Sequence, residues 1–386
     1  MARRLGRVVL TDPRRGARTH DHSFVDPDHT ADPSGSYARR MSDQNELLGV
    51  IDGHNDLPWA TREQTEYSVE GLSGVPAPSG FPTDFERMSQ GRVAGQFWSV
   101  YAEDSEDFDA VQYTLEQIDF VHRLVRRYPD RLAFARTAAD VWAAHESGRV
   151  ASLIGAEGGH SINGSLATLR MFARLGVRYM TLTHNRNTPW ADSATDAPTH
   201  GGLTAFGRDV VRQMNDVGML VDLSHVAPST MADALDTSTS PVIFSHSSCR
   251  ALSDHQRNVP DDILARLATN GGVIMVSFVP VFLSVEYAEW LSADRTGPKP
   301  RVTIADVVRH LNHARDVAGI DHVGIGSDYD GFDDFPDGLT DVSGFAALRE
   351  ALSDANWSAG EIVKLFNRNI LRVLSETDPQ FSAASK

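Results

Sequence analysis

Eight short runs of Val, Ile, Leu, Phe and Met, separated mostly by helical patterns, constrain this chain more than any other feature. They fall at 47–52, 93–100, 150–156, 178–183, 219–224, 241–245, 272–278 and 322–327, and each reads as a β-strand. Between them, apolar residues recur at three- and four-residue spacing over Phe108–Tyr128, Leu166–Leu175, Thr204–Val217, Asp261–Ala268, Ile304–Val317 and Glu361–Leu374, with a charged opposite face. Gly218 and Gly319 lie just past helix ends, where left-handed caps are expected. Strands alternating with helices imply a parallel sheet, and eight of them imply an α/β fold of the TIM-like (β/α)8 barrel type. The segment 281–302, with Trp290 and Pro298-Lys299-Pro300, is long enough to form a lid over the barrel mouth.

With 386 residues, the chain can bury a large core. Residues 46–380 read as a single barrel domain. Residues 1–45, rich in Arg, Asp, His, Ser and Pro, read as a disordered N-terminal extension. Met41, just before the first strand, is a candidate alternative start. A net charge of −16 argues against nucleic-acid and anionic-membrane partners, which need a basic surface. Cys249 is the only cysteine, which excludes an intrachain disulfide and a thiolate metal cluster and points to a cytoplasmic location. No apolar stretch is long enough to span a bilayer. The basic start Met1–Arg7 lacks a following apolar segment, and the C-terminus ends polar, so neither a signal peptide nor a lipid anchor is expected.

In such barrels the reactive groups sit at the C-terminal ends of the strands. The first run is followed by His54 and Asp56, the third by Glu157, the fourth by His184, the fifth by His225, the sixth by His246, and the eighth by Asp328 and Asp330. Ser or Thr precedes His184, His225 and His246, which suggests similar turns presenting the three rings. His160 and His255 read as hydrogen-bonded structural residues, Asp330 as a turn former and Cys249 as a small loop residue. Imidazole and carboxylate ligands without thiolates suit Zn²⁺, with Mn²⁺, Fe²⁺ or Co²⁺ as alternatives. His54, Asp56, His225 and His246 divide as two ligands per metal, and two metals ~3.5–4 Å apart need a bridging anion. The three lysines, at 299, 364 and 386, follow no core strand, so a carbamylated lysine cannot be that bridge. Glu157 is the carboxylate candidate, and Gly158 and Gly159 after it allow close backbone approach.

Over residues 48–375 these motifs resemble the membrane-dipeptidase (renal dipeptidase-like) peptidases of the amidohydrolase superfamily. The resemblance rests on Asp52-Gly-His-Asn-Asp-Leu-Pro58, Gly95-Gln-Phe-Trp-Ser-Val-Tyr101, Glu157-Gly-Gly-His160, Leu182-Thr-His-Asn185 and Asn187-Thr-Pro-Trp-Ala-Asp192. It continues through Asp222-Leu-Ser-His225, Phe244-Ser-His-Ser-Ser248, Arg257-Asn-Val-Pro-Asp-Asp262 and Gly326-Ser-Asp-Tyr-Asp-Gly331. It implies a dipeptidase with two Zn²⁺ per subunit, bridged by Glu157 and a water or hydroxide that attacks the peptide bond of L-Xaa–L-Xaa and L-Xaa–D-Xaa substrates. By motif position His54 and Asp56 hold one zinc and His225 and His246 the other. His184 contacts the scissile carbonyl, Arg257 binds the substrate carboxylate, and Asp328 is the acid/base. A related amidohydrolase acting on N-acyl amino acids or β-lactams is the alternative. Residues 62–92 and 281–302 are expected to read the substrate side chains. The chain lacks the cysteines of the anchored mammalian members, which argues against a disulfide-linked dimer and leaves a homodimer of another kind open.

Overall fold

The computed structural model describes residues 49–75, 79–105 and 108–384, so the expectations for residues 1–45, Met41 included, lie outside the described residues. Nine parallel strands form one sheet: β1 (Val50–Asn55), β2 (Val93–Tyr101), β3 (Leu132–Phe134), β4 (Val150–Glu157), β5 (Val177–Thr181), β6 (Leu220–Asp222), β7 (Ile243–Ser247), β8 (Val273–Val276) and β9 (Val323–Ile325). Their order is β2-β1-β9-β8-β7-β6-β5-β4-β3, and a further pairing of β2 with β4, from Gly95–Ala151 to Tyr101–Glu157, closes eight of them into a barrel. All eight expected strands are present with shifted ends. The ninth, β3, escaped notice because Leu-Ala-Phe is too short to show a period. It pairs with the first half of β4 below the point where β5 takes over that edge.

Strands covered on both faces carry few polar residues except where they point at a site. The barrel interior is so crowded that some positions admit only glycine. A Cβ on Gly155 would fall 1.9 Å from the Tyr179 ring, and one on Gly326 would fall 1.8 Å from the Ser245 carbonyl oxygen. Five of the expected helices appear with ends moved by at most two residues: Ala110–Arg127, Leu166–Leu175, Ala205–Asp216, Asp261–Asn270 and Ile304–Ala318. The sixth, expected over 361–374, is instead a short helix Ala359–Val363, a π turn Lys364–Arg368 and a helix Asn369–Ala384. Around the wider π turn, the Asn367 amide reaches Gly49 O at 3.0 Å, and the Asn369 amide reaches Ile320 O and Val323 O at 2.7 and 2.8 Å. These bonds tie the segment to the starts of β1 and β9.

Gly218 has the expected positive φ. Gly319 does too (φ 91°), but its ψ of 152° is extended, so it redirects the chain and does not cap the helix in the left-handed form. The expected lid divides differently. Residues Pro280–Leu283 form a short helix, and Val281 and Phe282 line the cavity at the barrel mouth. Beyond it, the Tyr287 hydroxyl and the Lys299 ammonium both bind Asp334, and no residue of 284–302 reaches the cavity wall. No described helix is long and apolar enough to cross a membrane.

Candidate active site and metal centre

The groups expected at the strand ends converge on the C-terminal mouth of the barrel, around a cavity of ≈ 340 Å³. Asp56, Glu157, His184, His225, His246, Arg257 and Asp328 line it, while His54 lies fully buried beneath. The pairing of β1 with β9 continues past the strands: Asp328 N donates to His54 O at 3.1 Å and Asp56 N to Tyr329 O at 2.9 Å. That ladder sets Asp328 beside the His54 and Asp56 side chains, and donor atoms of the three lie within 4.8 Å of one another.

Glu157 is at the centre. Its Oε2 lies 3.4 Å from His54 Nε2, and its Oε1 lies 3.1 Å from His225 Nε2 and 3.4 Å from His246 Nε2. His54 Nε2 is in turn 3.3 Å from Asp56 Oδ2. The two oxygens of one carboxylate thus face two different ligand pairs. His184 stands further out, its Nε2 3.8 Å from Glu157 Oε1 and its ring packed on those of His225 and Tyr101. The three Ser/Thr-His turns are not alike: His225 has a left-handed φ of 66°, which His184 and His246 lack. Its ring is turned toward His246, with the two Nε2 atoms 2.9 Å apart.

Hydrogen bonds behind the imidazoles decide which nitrogen faces the centre. The Tyr179 hydroxyl touches Gly53 O at 3.1 Å and His54 Nδ1 at 2.9 Å. A carbonyl only accepts, so the hydroxyl donates to it and accepts from the His54 Nδ1–H, which leaves Nε2 as the nitrogen facing the centre. His54 Nε2 is completely buried and faces the carboxylates of Asp56 and Glu157. Likewise Ser245 Oγ donates to Asp222 Oδ2 at 2.6 Å and accepts from His246 Nδ1 at 2.8 Å. Asp222 also accepts from Ser245 N at 2.8 Å. Asp52 repeats this clamp at the β1–β9 seam, taking Ser327 N at 2.7 Å and Ser327 Oγ at 2.6 Å. Buried imidazole nitrogens aimed at a shared carboxylate are an arrangement that a divalent cation satisfies.

Electrostatics separate the groups. Burial drives His225 and His246 well below the usual histidine value, with Arg257 adding to the effect, so both rings are neutral and could offer a nitrogen to a cation. Burial, with neighbouring His160 and Arg257, takes His184 down to about 4 despite the opposing charge of Glu157. Burial opposes ionisation of Glu157, yet the surrounding imidazoles hold its carboxyl well below the usual range. His54 goes the other way: burial works against its charged form, but Tyr179, Asp56 and Glu157 keep it well above the ordinary histidine value. Asp328 is pushed well up, first by burial and then by Asp56 and Glu157, so it holds a proton where a carboxyl ordinarily would not.

Arg257 is 3% exposed, not the surface residue that its place before a helix suggests. Its guanidinium stacks 5.1 Å from the Phe282 ring centroid and approaches Ser247 Oγ at 3.5 Å and His246 O at 3.4 Å. Burial lowers its pKa to about 10, which leaves it charged at neutral pH. His160 is structural, bonded to Ala102 O at 2.7 Å. His255 is hydrogen-bonded as expected, its Nδ1 accepting from Arg257 N at 3.2 Å, and it also lines the cavity beside Phe282. Asp330 occupies a left-handed turn as expected, but its carboxyl is buried beside Thr83 and Asn55, and burial raises it to about 7. Cys249 is buried, its thiol donating to His310 O. Trp59, Tyr101 and Phe332 also line the cavity and carried no sequence signal beyond their place in or near a motif. No described residue of 62–92 lines it, contrary to expectation. Lys299 and Lys364 are ion-paired with Asp334 and Asp321, away from the cavity.

Fold and centre together define a barrel metallohydrolase of the amidohydrolase type. A family model described as membrane dipeptidase (peptidase family M19) matches residues 39–385, and the chain belongs to that family. It is a metallo-dipeptidase acting on small peptides. Dipeptidase tcpJ of Claviceps purpurea is 43% identical over 338 residues, covering 85% of this chain and 76% of that protein. Dipeptidase verJ of Clonostachys rogersoniana is 41% identical over 341 residues, covering 85% and 84%. The crystal structure of a Rhodobacter sphaeroides metallopeptidase, liganded with a phosphinate mimic of L-Ala-D-Ala, superposes with a TM-score of 0.75 at 26% identity, over 86% of this chain and all of the other.

Proposed function

We propose that this chain is a zinc-dependent dipeptidase in which His54 and Asp56 hold one Zn²⁺, His225 and His246 a second, and Glu157 bridges the two. The observation that carries the reading is the division of the Glu157 oxygens between two ligand pairs. When bound, the metals supply Lewis acidity to the scissile carbonyl and to the attacking water. The protein's own groups do the rest. Arg257 offers a buried guanidinium to the substrate carboxylate, which places the neighbouring amide over the centre. Neutral His184, at the rim of the centre, donates a hydrogen bond to the carbonyl oxygen as charge builds on it. Asp328, whose raised pKa favours holding a proton, would take one from the attacking water and pass it to the leaving amine. The Rhodobacter neighbour's L-Ala-D-Ala mimic supports acceptance of L-Xaa–D-Xaa as well as L-Xaa–L-Xaa substrates.

Metal analysis of active protein should give two zinc ions per chain; full activity with fewer than two would overturn the binuclear reading. Screening L,L- and L,D-dipeptides beside N-acyl amino acids and β-lactams should return the dipeptides as substrates. Arg257→Met should raise KM for dipeptides roughly 10- to 100-fold, the worth of a hydrogen bond to a charged group. An unchanged KM would remove Arg257 from substrate binding.

A further inference from the structure

At the other end of the barrel, where the strands begin, lies a second cavity of ≈ 410 Å³ whose wall contains Arg92, Arg131, Arg149, Arg349 and His145 and, among the described residues, no Asp or Glu. On a protein of net charge −16 this is an unusual concentration. Among the described residues none of the four arginines forms an ion pair, whereas Arg87, Arg123 and Arg127 nearby in the chain all do. Arg149 reaches only Ser147 Oγ and Pro129 O. Arg349 is held in place by stacking 4.7 Å from the Phe366 centroid, and burial followed by the charge of Arg92 lowers its pKa.

Barrel helices end on this face, and cations there complement the helix dipoles. That accounts for Arg131 and Arg149, which follow the helices Ala110–Arg127 and Ala138–Glu146. It does not account for Arg349, inside the helix Phe345–Asp354, held where it and Arg92 repel each other. Like charges gathered around a concavity of ligand size are relieved by an anion, and guanidinium forks match phosphate oxygens two at a time.

We propose that this cavity is a polyvalent phosphate site, taking a diphosphate group either free or carried on a nucleoside, on the barrel face opposite the metal centre. Binding would relieve the repulsion and stabilise the fold without touching the catalytic groups. The test is titration calorimetry and thermal unfolding of the zinc-loaded full chain with pyrophosphate, ADP and orthophosphate, at ionic strength held constant with NaCl. Pyrophosphate at 100 times its Kd should raise Tm by about 5 °C, and the rise should saturate. The Arg92→Ser/Arg349→Ser variant should bind at least about tenfold more weakly, the loss of one charge-assisted contact. Because diphosphates chelate zinc, that variant is also the control, as stripping of the intact metal centre would persist in it. Arg131→Ser/Arg149→Ser serves the same purpose if the first variant does not fold. ADP binding as tightly as pyrophosphate assigns the site to nucleoside diphosphates, and pyrophosphate alone assigns it to the free anion. Orthophosphate binding equally well, a response matched by NaCl, or binding undiminished in the variants would overturn the proposal.

Discussion

An imidazole can present either nitrogen to a metal, and at two positions a neighbouring hydroxyl makes that choice. The Tyr179 hydroxyl accepts from His54 Nδ1–H because it donates to Gly53 O, and the Ser245 hydroxyl accepts from His246 Nδ1–H because it donates to Asp222. Tyr179→Phe keeps the ring that fills the space left by Gly155 and removes only the hydroxyl. Metal affinity should fall about 10- to 100-fold, as for other groups that orient a ligand. Chelator competition measures this, and the unfolding temperature of the metal-free variant shows whether packing survived. Unchanged affinity would make Tyr179 a packing residue alone. Asp52 and Asp222 stand in the motifs, but their work could not be read there. Each binds a serine from the next strand around the barrel, 275 or 23 residues away in sequence.

At the scale of elements, the C-terminal helix Asn369–Ala384 is fastened to the barrel through a buried ion pair. Arg178 of β5, fully buried, lies 3.3 Å from Asp378 Oδ1 and 4.0 Å from the Phe381 centroid, while Asp378 Oδ2 accepts from Ala138 N at 2.8 Å. Burial outweighs the attraction of Arg178 and raises Asp378 from 3.8 to about 6. A carboxyl raised on folding contributes stability that is fully present below 3.8 and is lost as pH rises through about 6. Asparagine resembles the protonated acid and keeps an oxygen for Ala138 N. Asp378→Asn should therefore unfold at a higher temperature than the parent above pH 6, with the gap closing toward pH 4. A lower Tm for the variant at pH 7.5 would show that the ion pair stabilises the fold on balance. The π turn just before this helix and the short strand β3 belong to the same scale. Neither has a period that a sequence window of a few residues can display, and both exist because of what they meet across the barrel.

The whole molecule brings four imidazoles and the carboxylates of Asp56, Glu157 and Asp328 to one buried end, a costly arrangement until cations occupy it. Removing metal with a chelator should lower Tm by several degrees and zinc should restore it, since a ligand at 1,000 times its Kd adds about 4 kcal/mol. An unfolding temperature indifferent to metal would mean the ligand set pays no folding cost when empty.

The sequence by itself determined the barrel, its eight strands and the order of the reactive groups. Apolar periodicity is local, and residues just past a run must lie at the strand's end. The lysine positions already set a carbamate bridge aside. Only the tertiary structure decided which groups meet. It split the oxygens of Glu157 between two pairs of candidate ligands, buried Arg257 against Phe282, and brought His255, Val281 and Phe282 into the cavity wall. Those outcomes depend on contacts between strands and loops far apart in the chain, and on burial, which no local pattern records.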